Sequence, residues 1–465
     1  MSQEPSQEPS SVVQDMVRTA LALHQTAQLA EAERIYRQVL AIDPRQPDGL
    51  HLLGMIAYQT GRGELAAELI RQAIAINGNA PSYHSNLGNV LQSQGDIAEA
   101  GACYQRALTL NPNLAEVHLN LGNIFKALGK LDSSLACYER AQALNPGLAE
   151  AAVAISMTLL LKGEFSSGWQ DFERRWETKE YETPMRAYPW PQWKGERLEA
   201  GRLLLWGEQG IGDEIMFAGL IPDAIRSGNR CVLDCDARLR PLFARSFPGV
   251  EVVAAGASGS SLGIAAHLPS GSLPGLFRRS SDAFAVTTSP YLVADPLAQS
   301  RFRARYADGQ MLVGLAWHTK NKKTGRRRSI DLPLLAPLLR QPGIRWVSLQ
   351  YGDREALETQ AEEANASILI DCEVDQFSNI DLFAAQIAAM DLVITIDNST
   401  AHLAGALGVP AWVLLPFAPD WRWLSIGEDS AWYPTMRLFR QTKLNEWQSA
   451  VRSVEIALEQ ILDSS

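Results

Sequence analysis

The chain has 465 residues, 46% of them hydrophobic, enough for roughly two to four packed domains of about 100–200 residues each. A formal net charge of −10 excludes nonspecific adhesion to nucleic acid or to an anionic membrane as a working role, because the whole-protein field repels phosphate backbones. Any phosphate bound here must meet a local basic site.

Met1 to Ser11 is polar, with no apolar stretch, so residues 1–12 read as a disordered tail and not a secretory signal. No run of about 18 apolar residues follows, so no transmembrane segment is expected. The five cysteines are scattered, and Cys103 and Cys137 fall one repeat apart instead of forming a disulfide framework, which points to a reducing, cytoplasmic compartment.

Asp43-Pro44, Asn77-Gly78, Asn111-Pro112 and Asn145-Pro146 recur every 34 residues. On the same period stand Leu53-Gly54, Leu87-Gly88 and Leu121-Gly122, then Gly61, Gly95, Gly129 and Gly163 at turns, and Tyr36, Tyr104 and Tyr138 on second helices. Small residues recur where two helices approach, aromatics where the pair leaves a gap, and proline where a helix must stop. This pattern resembles the tetratricopeptide repeat, an α-solenoid, in four units over about residues 13–148. Asn86 and Asn120 are equivalent by period, as are Asn89 and Asn123. Amides along first helices can bond an extended peptide backbone, or serve solubility alone. His84 and His118 also recur and read as packing or groove positions.

A fifth, degenerate unit is expected from Gly147 to about Lys179, its second helix carrying Gly168 to Trp176, so that repeats and cap together fill 13–180. Pro184, Pro189 and Pro191, with Trp190 and Trp193, mark a stiff linker at 181–201. Strand, glycine turn and helix then alternate, which predicts parallel sheets with helices on their faces. A first lobe spans 202–308, with strands at Arg202–Trp206 and Cys231–Cys235 and loops between Ala254 and Gly275. A second spans 309–440, with strands beginning near Leu312, Arg345, Ser367, Leu392 and Ala411. A terminal helix within 441–465 is expected to cross back to the first lobe.

Three segments carry candidate chemistry. At Asp397-Asn398-Ser399-Thr400-Ala401-His402 a strand ends in a polar turn and a helix starts at once, aiming free N–H groups at the carboxyl edge of a sheet, where a diphosphate is held. The alternative is that one of these residues only caps the helix. Lys320, Lys322, Lys323, Arg326, Arg327 and Arg328 place six cations in nine residues after another strand, with Ser329 beside them. That loop closes over phosphates or is a solvated loop, with Lys320, Arg328 and Ser329 the leading contacts. Gly207-Glu208-Gln209-Gly210-Ile211-Gly212-Asp213 opens a helix after the first strand without the dinucleotide fingerprint. Asp213 there is a candidate base for an acceptor hydroxyl or a helix cap, with Glu208 and Gln209 as acceptor-side candidates. Gln350 and Asp371 are the nucleoside-side candidates.

Gly-Ile-Gly-Asp (210–213), Gly-Leu-Ala-Trp (314–317), Ser-Leu-Gln (348–350) and Asp-Asn-Ser-Thr-Ala-His-Leu-Ala-Gly-Ala-Leu-Gly-Val-Pro (397–410) together resemble the heptosyltransferase-type glycosyltransferases over roughly residues 200–440. With the repeats, the architecture is similar to that of the O-linked N-acetylglucosamine transferases. The resemblance implies a GT-B fold of two facing Rossmann-like lobes, acceptor on the first and nucleotide sugar on the second. It implies a nucleoside-diphosphate sugar as co-substrate, no resident cofactor and no obligatory metal. Asp213 takes the place of the catalytic base, Arg328 or a neighbouring lysine that of the phosphate-binding cation, and Asp397 to Thr400 that of the phosphate and sugar turn, with His402 just beyond. Where the family more often has Asp-Thr-Gly or Asp-Thr-Ala, this chain has Asp397-Asn398-Ser399. The expected function is an inverting transfer of a sugar to a hydroxyl on a protein or peptide held by the repeats. The alternatives are a noncatalytic scaffold and a saccharide- or lipid-linked acceptor.

Overall fold

The computed structural model describes residues 9–179, 181, 183–256, 262–285, 290–321 and 325–463. Lys322 and Lys323 of the basic loop therefore lie outside the described residues, as do residues 1–8 of the expected tail. Residues 9–12 are not a tail, since the first helix begins at Pro9. The chain divides into two compact units, Met1–Ala152 and Val153–Ser465.

The first unit is built of helices α1 (Pro9–Gln25), α2 (Leu29–Ile42), α3 (Pro47–Gln59), α4 (Gly63–Ile76), α5 (Pro81–Gln94), α6 (Ile97–Leu110), α7 (Ala115–Ala127) and α8 (Leu131–Leu144), with α9 (Ala149–Lys162) spanning the division. Its periodic residues do the local work that their chemistry allows. Asp43, Asn77, Asn111 and Asn145 end second helices. Gly61, Gly95, Gly129 and Gly163 take φ between +69° and +94°, the left-handed region that ends first helices at little cost. A Cβ on Gly88 or Gly122 would lie 2.6 or 2.4 Å from the ring of Tyr104 or Tyr138, so each tyrosine fills the gap its glycine leaves. His84 and His118 bond the carbonyls of Gly78 and Pro112, at 2.9 and 3.0 Å, fastening the preceding turn.

The expected asparagine ladder is partly spent within the fold. Asn86 pairs with His51 at 2.8 Å, Asn89 Oδ1 accepts from Tyr104 (2.8 Å) and from Asn120 Nδ2 (3.0 Å), and Asn123 Oδ1 accepts from Tyr138 (2.8 Å). All four are half-buried and tie neighbouring helices together.

The second unit holds two parallel sheets. One contains β1 (Arg202–Trp206), β2 (Cys231–Cys235), β3 (Glu251–Ala254) and β4 (Ile264–Pro269) in the order β3-β2-β1-β4. The other contains β5 (Met311–Ala316), β6 (Ile344–Ser348), β7 (Ile368–Leu369), β8 (Leu392–Ile396), β9 (Ala411–Leu415) and β10 (Met436–Arg440) in the order β10-β9-β8-β5-β6-β7. In each sheet the chain winds outward one way and then returns to the other side of its first strand. The winding direction thus reverses between β1 and β4, and between β5 and β8. Ligands of open parallel sheets bind at the carboxyl ends of strands flanking such reversals.

Three expectations fail here. The Gly- and Ser-rich stretch after Ala254 contains strand β4. Residues 165–177 form a single α-turn (Phe165–Gly168) and a 3₁₀ turn (Phe172–Glu177) instead of a second repeat helix. Long-range partners explain the break: Trp169 Nε1 donates to Arg278 O (2.8 Å), its ring meets Trp421 edge-on at 5.4 Å, and Arg175 pairs with Glu208. The terminal helix Gln448–Asp463 does not return to the first sheet. Its Val451, Val454 and Leu458 share a core with Trp346, Leu392 and Phe439 of the second.

Candidate functional site

Three loops that follow strands at the two reversal points are each positioned by a local bond. After β1, Gln209 takes φ +66° and Gly210 precedes the helix Ile211–Ala218, where Asp213 Oδ2 accepts the Gly210 N–H at 3.3 Å. After β8, Asn398 caps the helix Ser399–Ala406: its Oδ1 accepts from Ala401 N and from Thr395 Oγ1, both at 3.1 Å. After β5, Ser329 Oγ accepts from Thr319 N at 3.1 Å, drawing the ends of the basic loop together.

These three loops meet around one polar recess of about 280 Å³. Gln209, Gly212 and Asp213 come from the first sheet, Thr319, Asn321 and Arg328 from the loop after β5, and Asp397, Asn398, Ser399 and His402 from the turn after β8. Positions 213, 328 and 399, distant in sequence, thus share one hollow. The remaining lining residue, Arg422, stands in the segment Pro419-Asp420-Trp421-Arg422-Trp423, through which the family resemblance continues but which carries no site role in the sequence alone.

The recess is dense in charge. Arg328 Nη1 lies 3.1 Å from Asp397 Oδ2, and its Nη2 3.6 Å from Asp420 Oδ2. Arg422 pairs with Asp420 through Nη1 at 2.5 Å and with Asp213 Oδ1 through Nη2. Burial pushes the Asp397 carboxyl up, against the pull of Arg328. Burial acts likewise on Asp420, but Arg422 and Arg328 outweigh it and bring that carboxyl down to about 2. Two buried donors, Asn398 Nδ2 and Arg422 Nε, have no hydrogen-bond partner among the described residues. Buried donors are seldom left unmade, because each forfeits its hydration.

His402 lines the same recess but as a neutral group. Burial holds it down at about 3, its Nδ1 bonds the Tyr433 hydroxyl at 2.9 Å, and its ring stacks on Trp423 at 5.2 Å. Thr400 is 1% exposed and does not line the recess; Ser399 does.

Four other candidates stand elsewhere. Glu208, expected on the acceptor side, is 1% exposed and held by Arg175, by Gly271 N (2.7 Å) and by the Tyr181 hydroxyl. It supports the loop instead of facing a ligand. Gln350 is also 1% exposed; its oxygen accepts from Trp317 N and His318 N, and its amide donates to His318 O and Tyr351 O. Its side chain pins the start of the basic loop and has nothing left for a base. Lys320 and Asp371 line a second recess, of about 580 Å³, with Tyr351 and Phe377. Asp371 there is bound by Arg305 (2.7 Å) and the Tyr306 hydroxyl (2.6 Å). Lys320 sits between Thr319 and Asn321, which line the smaller recess.

Glu214, the next residue after Asp213, is pushed up to about 7, chiefly by burial, while the Asp236 N–H it accepts at 2.9 Å pulls the other way. Its folded value exceeds the ordinary 4.5, so stability is highest below pH 4.5 and falls as pH rises to about 7. Glu214→Gln is expected to match the wild type at pH 4.5 and to be more stable by about 3 kcal/mol at pH 8, measured by urea unfolding. Equal stability at pH 8 would show that this carboxyl is not strained.

Comparison with known proteins places the first unit. Tetratricopeptide repeat models match residues 23–89 and 115–148, and a TPR repeat model matches 88–129. Residues 23–148 are therefore tetratricopeptide repeats, an arrangement consistent with protein or peptide binding. The chain is also a homologue of Protein FlbA of Caulobacter vibrioides, 32% identical over 322 residues, an alignment longer than the first unit. It covers 64% of this chain and 53% of FlbA, so the chain spans about half the length of that curated relative. Among solved structures, MamA is 22% identical over 33% of this chain and 91% of its own, with a TM-score of 0.32. Pseudomonas aeruginosa pilF is 22% identical over 36% and 77%, with a TM-score of 0.34. Among the described residues no helix is long and apolar enough to cross a membrane.

Proposed function

We propose that the second unit is a glycosyltransferase of GT-B type, moving a sugar from a nucleoside diphosphate to a hydroxyl with inversion, and that the repeats present a protein acceptor. The observation that carries this reading is the convergence of three reversal-point loops on one recess with two unpartnered buried donors, Asn398 Nδ2 and Arg422 Nε, beside Arg328. A diphosphate supplies acceptors for both, and the start of the helix Ser399–Ala406 adds partial positive charge. The same cations would offset charge growing on the leaving diphosphate, and Asp213 would take the proton of the attacking hydroxyl. The 580 Å³ recess beside Lys320 suits the nucleoside, with Tyr351 and Phe377 as apolar walls.

The test is a thermal-shift panel of nucleoside diphosphates and their sugars, since a ligand of the folded form at 100 times its Kd adds about 2.7 kcal/mol of stability. A selective shift with one base is expected, and no shift with any would reject the reading. Arg328→Ala is expected to weaken that nucleoside diphosphate about tenfold or more, because it removes charge-assisted bonds. Unaltered affinity would take Arg328 out of the site.

A further inference from the structure

Both oxygens of Asp213 are engaged in this structure, Oδ2 by the Gly210 N–H and Oδ1 by Arg422. A base needs an oxygen open to the proton it takes. Arg422 is 12% exposed at its side chain and lines the recess, yet its Nε has no hydrogen-bond partner among the described residues. Its guanidinium joins Asp213, from the first sheet, to Asp420, which precedes its own 3₁₀ turn Trp421–Trp423. Two carboxylates that line the recess, Asp213 and Asp397, and a third beside it, Asp420, thus surround two lining guanidiniums, Arg328 and Arg422.

Building on the diphosphate reading above, we propose that Arg422 exchanges partners when the sugar donor binds: it leaves Asp213 for the diphosphate, and so frees the base only once the donor is in place. Asp420 stays with Arg422 and holds it at the recess wall. An anionic ligand offers the guanidinium fork two acceptors and also satisfies Nε, which Asp213 does not. Once released, Asp213 keeps the Gly210 N–H on Oδ2 and presents Oδ1 to the acceptor hydroxyl. The hydroxyl oxygen then bonds the anomeric carbon while its proton passes to Asp213. The bond from that carbon to the diphosphate oxygen breaks, and its electron pair leaves with the diphosphate, against Arg328 and Arg422. Arg422 is therefore a diphosphate ligand that also keeps the base paired in the empty site. Without donor, the base is withheld from water and from hydroxyls.

Isothermal titration of the full chain with UDP, GDP, ADP, TDP and inorganic pyrophosphate tests this, comparing wild type with Asp213→Asn, Asp420→Asn and Arg422→Lys. Exchange requires opposite signs. Asp213→Asn removes the competitor and tightens the best diphosphate by about three- to tenfold, whereas Arg422→Lys, which lacks the fork, weakens it by about tenfold or more. Asp420→Asn leaves affinity unchanged or lower. If Asp213→Asn and Asp420→Asn tighten binding equally, only the general field has changed and the exchange is wrong. If Asp213→Asn weakens binding or leaves it unmoved, the ion pair is a fixed brace and the proposal fails. A wild type that binds none of the five probes overturns the diphosphate reading itself, an outcome distinct from binding without exchange. A crystal structure of the full chain with the diphosphate that binds should place Arg422 on phosphate oxygens and beyond 4 Å from Asp213; an intact pair with ligand bound overturns the exchange.

Discussion

Asp213→Asn is expected to abolish sugar transfer, lowering turnover by about 10²–10⁴-fold, while the protein stays folded and still binds its nucleoside diphosphate. The fold tolerates the change because an asparagine oxygen can accept the Gly210 N–H as the carboxylate does, and Arg422 keeps Asp420 as a partner. What an amide cannot do is accept a proton at neutral pH. Loss of turnover without loss of stability therefore separates the proposed chemical role from the capping role, which the sequence left as alternatives; in the structure Oδ2 makes the cap and Oδ1 pairs with Arg422. Glycosyl transfer measured at saturating donor isolates the chemical step, and undiminished turnover would reject Asp213 as the base.

The periodic part of the chain was readable because each repeat sets its own geometry. Glycine at a left-handed turn, tyrosine over a helix-facing glycine and asparagine after a helix are local needs, so a fixed period exposes them. The turn after β8 was readable for the same reason, since strand, Asn398 cap and helix are contiguous. What escaped was set by distant partners. Arg422 lies between Trp421 and Trp423, and its role depends on Asp213, more than 200 residues earlier. Glu208 and Gln350 follow strands, where polar residues often face ligands. Both are instead consumed by backbone N–H groups and by Arg175, a use visible only once the loops are folded. Strand β10 alternates exposed Arg437 with buried Met436 and Leu438 over five residues at a sheet edge, too short to declare itself.

Arg175→Met should destabilise the protein by about 3–5 kcal/mol at pH 8, the cost of leaving a buried carboxylate without its partner. Arg175 is fully buried and holds Glu208 through two bonds, Nε to Oε2 at 3.0 Å and Nη2 to Oε1 at 2.9 Å. Its guanidinium also lies 4.6 Å from the ring centres of Phe172 and Trp176, so part of the loss is packing that a methionine partly restores. Burial already holds Glu208 above its ordinary 4.5 even with Arg175 opposing it, and removing the arginine raises it further. A carboxyl raised in the folded state loses stability as pH climbs from 4.5 through its folded value, so the deficit should be small at pH 4.5 and large at pH 8. Adding Glu208→Gln to Arg175→Met should recover most of the deficit at pH 8 and little at pH 4.5, because it removes the charge that ionises. Urea unfolding at the two pH values reads both effects. A deficit independent of pH, or unrelieved by Glu208→Gln, would mean that Arg175 acts through packing alone. Since Glu208 immediately precedes Gln209 in the loop that carries Asp213, the double variant also shows whether this ion pair matters for transfer. Restored stability with depressed turnover would mark Arg175 and Glu208 as positioning residues for the base.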